Sequence, residues 1–326
     1  MDIEVKGVAK HYGAVVVPCP PRRGKRKGAA ECGVKFCCGR WWRTMTATTP
    51  RKPRLAGVAD GRRGFCFTGE MQPNDRSRLA FIMRYAVRHP ERIVPHARRL
   101  ARDAVLRLRN RDHMSYYRAV MRSDAARSDE GAVGSHTHES WLKIGQMQFD
   151  YLVSHGLKPG MRMLEIGCGN LRAGRLVIEH LDAGDYYGID ISPDILLAAQ
   201  RTLAEAGLQH KLPYLTLVQD LKLEFLPAGY FDVVHAHSVF SHSPIQVIDE
   251  CLAHVGRVMQ PDGFFDFTFD RTEGAEHHVL HEDFYYQTET LVALAGRHGL
   301  TGQFMKDWEE LPHPQSKLRV TAGPSA

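Results

Sequence analysis

Nowhere in the 326-residue chain do apolar residues run on for the ~20 positions that a membrane-spanning helix needs. Its first residues also lack the apolar core of a secretion signal, so a cytoplasmic protein, at most peripheral to the inner face of a membrane, is the expectation. Cysteine is scarce. Of seven in all, five (Cys19, Cys32, Cys37, Cys38 and Cys66) stand before residue 67, and none is paired at zinc-finger spacing, which argues against a metal module or a disulfide scaffold. Acidic residues are short over positions 1–130, where positive charges are in excess by about seventeen, while the remainder carries about eleven surplus negative charges. A net charge of +6 therefore conceals a basic leader and an acidic domain.

Residues 1–70 show no sustained period of 2 or 3.6. The segment Pro18-Cys-Pro-Pro-Arg-Arg-Gly-Lys-Arg-Lys-Gly28 reads either as a basic tail for nucleic acid or as disordered sequence, even sequence upstream of a true start at Met71. Residues 71–135 form a basic amphipathic arm. Leu79, Ile82, Met83 and Ala86 share one helical face, and Ala101, Val105, Leu106 and Leu108 continue the pattern, with Pro90 and Pro95 expected as breaks. Two uses of this arm are open: peripheral contact with an anionic membrane through residues 71–111, or packing as a lid on the acidic domain.

Residues 136–326 carry the chemistry. Met163-Leu164-Glu165-Ile166 is apolar enough for a buried parallel strand, and Gly167-Cys168-Gly169-Asn170 follows as a turn into a helix. Gly167 and Gly169 let the backbone turn tightly and approach a ligand. Tyr186-Tyr-Gly-Ile-Asp190 is a second strand ending in an acid suited to the hydroxyls of a ribose, with Ile191 beyond it. A dinucleotide fingerprint would need its third glycine at position 172, which is Arg172. Punctuation agrees with an alternating α/β chain: Ser192 and Pro193 open a helix, and Gly184, Gly207 and Gly299 close others.

The run from Glu165 to Asn170 resembles the first motif of the class I S-adenosylmethionine-dependent methyltransferases, small-molecule and sugar type. The resemblance continues through a third strand, Tyr214 to Gln219, ending at Asp220, then through Phe231-Asp232-Val-Val-His-Ala236 and Met259-Gln-Pro-Asp-Gly-Phe-Phe265. It covers roughly residues 138–322. It implies a Rossmann-like, doubly wound, seven-stranded sheet whose last strand is antiparallel, preceded here by the helical arm. It also implies S-adenosyl-L-methionine as cofactor, held by Glu165, Gly167, Cys168, Gly169, Asn170, Asp190 and Ile191, with Asp220 at the adenine. Trp141 and Gln148, in a helix from about Glu139 to His155, are candidates to cover it, though Trp141 also reads as core.

An alcohol acceptor needs a base, and histidine is the natural one near neutral pH. His242 and His237, in the segment His235 to His242, are the candidates. No metal site is expected: Asp262, Asp266 and Asp270 read as caps or surface groups. The segments Glu276 to His278, His281 to Tyr286 and His313 to Lys317 are expected as loops over the crevice. The sequence lacks an Asn-Pro-Pro-Tyr or Asp-Pro-Pro-Tyr segment after the fourth strand, which turns the expectation from base-amino methylation toward O-methylation of a small molecule, a sugar or a lipid-linked glycan. The competing readings are an RNA methyltransferase that uses the basic leader, and a non-catalytic cofactor-binding regulatory protein.

Overall fold

Strand β1 (Met163–Ile166) lies in the interior of the sheet, buried on both faces as its apolar run requires. The computed structural model describes residues 90–110 and 112–323, all within one compact unit. The basic leader over 1–70, the five early cysteines and the apolar face from Leu79 to Ala86 lie outside the described residues. No described helix is long and apolar enough to cross a membrane.

Beside β1 lie β2 (Tyr186–Asp190) and then β3 (Tyr214–Leu217) on one side, and β4 (Phe231–Ala236) and then β5 (Met259–Arg271) on the other, all parallel. Further along the chain come β6 (His277–Val279), β7 (Asp283–Tyr286), β8 (Leu300–Phe304) and β9 (Ser316–Ala322). β9 runs antiparallel between β5 and β8, completing the expected seven strands. The remaining two correct an expectation. Residues 277–279 and 283–286 are a small antiparallel pair in place of loops, joined to the end of β5 through Asp270 and Arg271. β3 also stops at Leu217, short of Gln219.

The helices are α1 (Pro90–Arg109), α2 (His113–Ala125), α3 (Asp129–Ala132), α4 (His138–Ser154), α5 (Gly174–His180), α6 (Pro193–Glu205), α7 (Ile245–Val258) and α8 (Thr288–Arg297). Alternation along the strands divides the core. Leu164, Ile166, Val234, Phe265 and Phe267 pack on Ile248, Leu252 and Val255 of α7 and Leu291 of α8. Met163, Tyr186 and Val233 face the opposite way, onto Leu152, Val177, Leu196 and Ala199 of α4, α5 and α6. Pro90 opens α1, where its missing N–H costs nothing, but Pro95 does not break the helix as expected. It removes one backbone bond near the start, and α1 continues to Arg109.

Helix α4 buries Trp141, Gly145, Gln148, Tyr151 and Leu152, a spacing of three and four that puts one face on the sheet. At Gly145 the helix rides directly on the glycine turn, because a Cβ there would sit 2.4 Å from the Arg172 carbonyl oxygen. Backbone cannot move aside as a side-chain tip can. Gly145→Ala is expected to cost about 1–3 kcal/mol of stability, read as a lowered denaturant midpoint without a changed slope; an unchanged midpoint would show that α4 is free to shift.

Candidate active site

A parallel sheet exposes its ligand sites at the carboxyl ends of its strands. At the end of β1 the chain turns at once, with the amides of Gly167 and Cys168 both donating to the Ile189 carbonyl of β2. Gly167 and Gly169 have φ of 69° and 57°, which a side chain would strain. A Cβ on Gly167 would also lie 2.4 Å from Val239, in the loop after β4. Leu171 (φ 62°) and Ser238 (φ 57°) hold the same left-handed conformation without being glycine, one after β1 and one after β4. Such strain concentrates at functional sites.

Asp190 ends β2 with a buried carboxylate that accepts from the amides of Gly169 (3.0 Å) and Ser192 (2.8 Å). Burial raises its pKa against these two bonds, which hold the charge in place. A carboxylate has about four acceptor positions, so acceptor capacity remains for a hydroxyl of a ligand. The neighbouring Ile191 carbonyl accepts from Arg118 of α2 (2.8 Å), which ties the arm to this edge. Glycine turn, spare carboxylate lone pairs and strand-end position together fit the ribose of an adenosyl cofactor.

The other expected cofactor residues divide. Glu165 is buried on the α4 side of β1, hydrogen-bonded by the Tyr186 hydroxyl, and burial lifts its pKa to about 7 despite that bond and the nearby Arg172. Cys168 is buried behind the turn, against Gly188. Asn170 accepts from the Trp141 indole (3.0 Å) and donates to the Asp129 carbonyl, so Trp141 reaches the glycine turn through Asn170. Its ring lies under the Arg175 guanidinium and lines a groove of about 310 Å³ with Ala198 and Arg201 of α6. Gln148 is buried and its amide nitrogen has no partner. Asp220 is exposed three residues beyond β3, its carboxylate accepting from the Lys222 amide.

The two candidate bases face different surroundings. His242, in a short turn after β4, directs Nδ1 at the Glu282 carbonyl (2.7 Å) and at Asp283 Oδ1 (3.4 Å). Both neighbours only accept, so Nδ1 carries the proton and Nε2 is the basic nitrogen. Burial acts to lower the pKa of His242, but Asp283 outweighs it and the net shift is upward. Tyr117 of α2 stacks on the imidazole at 5.6 Å, and His113 Nε2 contacts the His242 carbonyl at 2.8 Å. Asp270, at the end of β5, is pushed up to about 6 by burial, with His242 pulling the other way and Asp283 adding to the rise.

His237 points instead into a polar layer beneath α4. Cross-strand register aligns Glu165, His235, Asp266 and Arg319 along one row of that face. Asp266, expected as a cap or surface group, is fully buried in a two-point pair with Arg319 (2.7 Å each). His237 packs on His313 and Trp308, neither of its ring nitrogens has a partner, and burial drives its pKa well below the usual imidazole value. His235 behaves alike. Lys317 ends this layer, fully buried between the rings of Trp308 (4.0 Å) and Tyr151 (4.3 Å). An enclosed imidazole whose surroundings disfavour its protonated form is a poor acceptor for a ligand's proton, whereas Asp283 favours that form at His242.

Sequence reasoning missed Asp283 and Arg99. Arg99 of α1 binds Glu282 (3.0 Å) and Asp283 (2.6 Å), and Arg102 binds Glu282 (2.7 Å) and Asp124 (2.8 Å). Three of these four pairs join positions 180 or more apart, and no local pattern announces them.

Residues 164–265 match the family model described as a methyltransferase domain. A ubiquinone biosynthesis O-methyltransferase of Methylococcus capsulatus is 28% identical over 148 residues, 41% of this chain and 58% of that protein. A sterol 24-C-methyltransferase of Aspergillus fumigatus is 29% identical over 110 residues, 34% of this chain and 28% of that protein. The chain thus spans less than two thirds of the length of these curated relatives. Among solved structures, magnesium protoporphyrin IX methyltransferase of Synechocystis PCC 6803 with bound S-adenosylmethionine superposes with a TM-score of 0.49 at 18% identity, covering 66% of this chain and 99% of that one.

Proposed function

We propose that the protein, whose residues 164–265 match the family model described as a methyltransferase domain, is an S-adenosylmethionine-dependent methyltransferase acting on a hydroxyl of a small molecule, a sugar or a lipid-linked glycan. The observation that carries the choice of oxygen is His242, whose Nδ1 is engaged by acceptors on the Glu282–Asp283 segment while Nε2 is left basic. Bound S-adenosylmethionine supplies an activated methyl group. Asp190 and the Gly167–Gly169 turn would hold it, with Ile191 and Val239 beside them.

The chain's own residues do the rest. Asp283 orients His242 and raises its affinity for a proton, so that His242 accepts the acceptor hydroxyl's proton as the oxygen attacks. Tyr117, stacked on His242, would limit water at the base, which favours an aligned, in-line displacement over hydrolysis. The names of the relatives, sterol and ubiquinone methyltransferases, support an acceptor that is small and largely apolar.

Calorimetric titration with S-adenosylmethionine, S-adenosylhomocysteine and NAD tests the cofactor. Both adenosyl compounds are expected to bind and NAD to fail. Asp190→Ala is expected to weaken the adenosyl compounds by about 10- to 100-fold, the worth of a hydrogen bond to a charged group. Equal affinity in the variant would remove Asp190 from the site.

A further inference from the structure

Helix α1 has two faces, and the domain uses one. Arg99 and Arg102 are committed inward to Glu282, Asp283 and Asp124, and Asp103 is buried, accepting from the Tyr116 hydroxyl (2.7 Å) and the His281 amide (3.1 Å). Outward, Leu100, Ala104 and Leu108 follow one another at intervals of four, with Ala101 and Val105 alongside, all exposed. Leu108 is 89% exposed, Leu100 45% and Val105 44%. Arg98, Arg107 and Arg109 flank the strip. Among the described residues of α1 from 98 onward the sole acid is Asp103, on the inner side, 4.0 Å from Arg107.

We propose that this outer face of α1 docks on an anionic lipid surface. A single exposed leucine needs no explanation, but a continuous apolar strip edged only by guanidinium groups is the composition of a helix lying in a membrane interface. The arginines have long stems that let the charge reach phosphate while the leucines enter the acyl boundary. The same helix, through Arg99, grips the segment that holds His242. Docking would therefore bring the crevice to the bilayer and suit an acceptor dissolved in it, a consequence that rests on the reading of His242 above.

The test is sedimentation of the full chain with vesicles of phosphatidylcholine alone and of phosphatidylcholine with equimolar phosphatidylglycerol. Binding to the anionic vesicles alone, weakened by salt and reduced at least about tenfold by joint Leu100→Glu, Val105→Glu and Leu108→Glu, is the expected result. S-adenosylhomocysteine binding confirms that the triple variant is folded. If it is not, Arg107→Gln with Arg109→Gln must lower binding to anionic vesicles instead. No binding by the full chain, or undiminished binding by both folded variants, overturns the proposal. So does capture by an acidic protein without capture by vesicles. His242→Gln should sediment like the parent, so a failure of the catalytic reading leaves this result intact.

Discussion

Turnover by His242→Gln is expected to fall by about 10²- to 10⁴-fold, the usual contribution of a positioned general base, while S-adenosylhomocysteine binding stays as it was. Glutamine retains the size of the ring but cannot take the proton. The pH dependence gives a sharper reading. His242 must be neutral to act, and Asp283 stabilises its protonated form, so the acid limb of kcat should lie above the ordinary imidazole value near 6.5. Asp283→Asn removes that negative charge and is expected to move the limb to lower pH, with lower kcat on the plateau from a weaker, less firmly held base. A limb that stays in place in Asp283→Asn, or a His242→Gln variant within threefold of the parent, would take proton removal away from this pair. The threefold margin is on the order of 0.6 kcal/mol, too little for a base.

Lys317→Met is expected to make the protein more stable. Its ammonium is fully buried, makes no hydrogen bond, and lies on the faces of Trp308 and Tyr151, while Asp266, the acid that acts on it most, is taken by Arg319. Burial pushes its pKa down to about 8 from 10.5, with Asp266 opposing and Arg319 adding to the fall. Lysine unfolded therefore holds its proton more firmly than lysine folded, and below pH 8 the folded state carries a cost of roughly 3 kcal/mol. Stability then rises with pH between about 8 and 10.5, because the unfolded state binds more protons across that window. Methionine removes the charge but also the two ring contacts, leaving a net gain of about 1–3 kcal/mol at pH 7. Urea melts at pH 7 and pH 9.5 check both parts: the parent should gain stability over this interval and the variant should be flatter. A variant less stable at pH 7 would mean that the ring contacts dominate. Above pH 10 the buried tyrosines reverse the trend, since Tyr186 and Tyr151 resist ionisation when folded.

What the sequence made legible is local. The apolar run into Gly167 placed β1 and its turn, and Ser192 with Pro193 placed the start of α6, because capping and turn geometry depend on a few adjacent residues. Alternation correctly put His235 and His237 on one face. It could not say that the face is closed over by α4, because that depends on how Gly145 meets Arg172 from 27 positions away. The segments from Glu276 to His278 and from His281 to Tyr286 were recognisable as lying near the crevice, but not as a strand pair or as the support of His242. Its strands are three and four residues long, too short for a period to be read, and the Arg99 contact is a matter of tertiary packing.

The position of β9 bears on how the chain comes together. It is inserted between β5 and β8, both made earlier, so the sheet stays divided during synthesis until residues 316–322 arrive. Until then β5 presents an unpaired edge of Phe265, Phe267 and Phe269, the kind of exposed aromatic strand that recruits other chains. The same late strand carries Lys317 and Arg319 into the interior, so its arrival both seals the edge and supplies the partner that Asp266 has been waiting for. Nascent chains halted before residue 316 should accordingly be the species that chaperones hold.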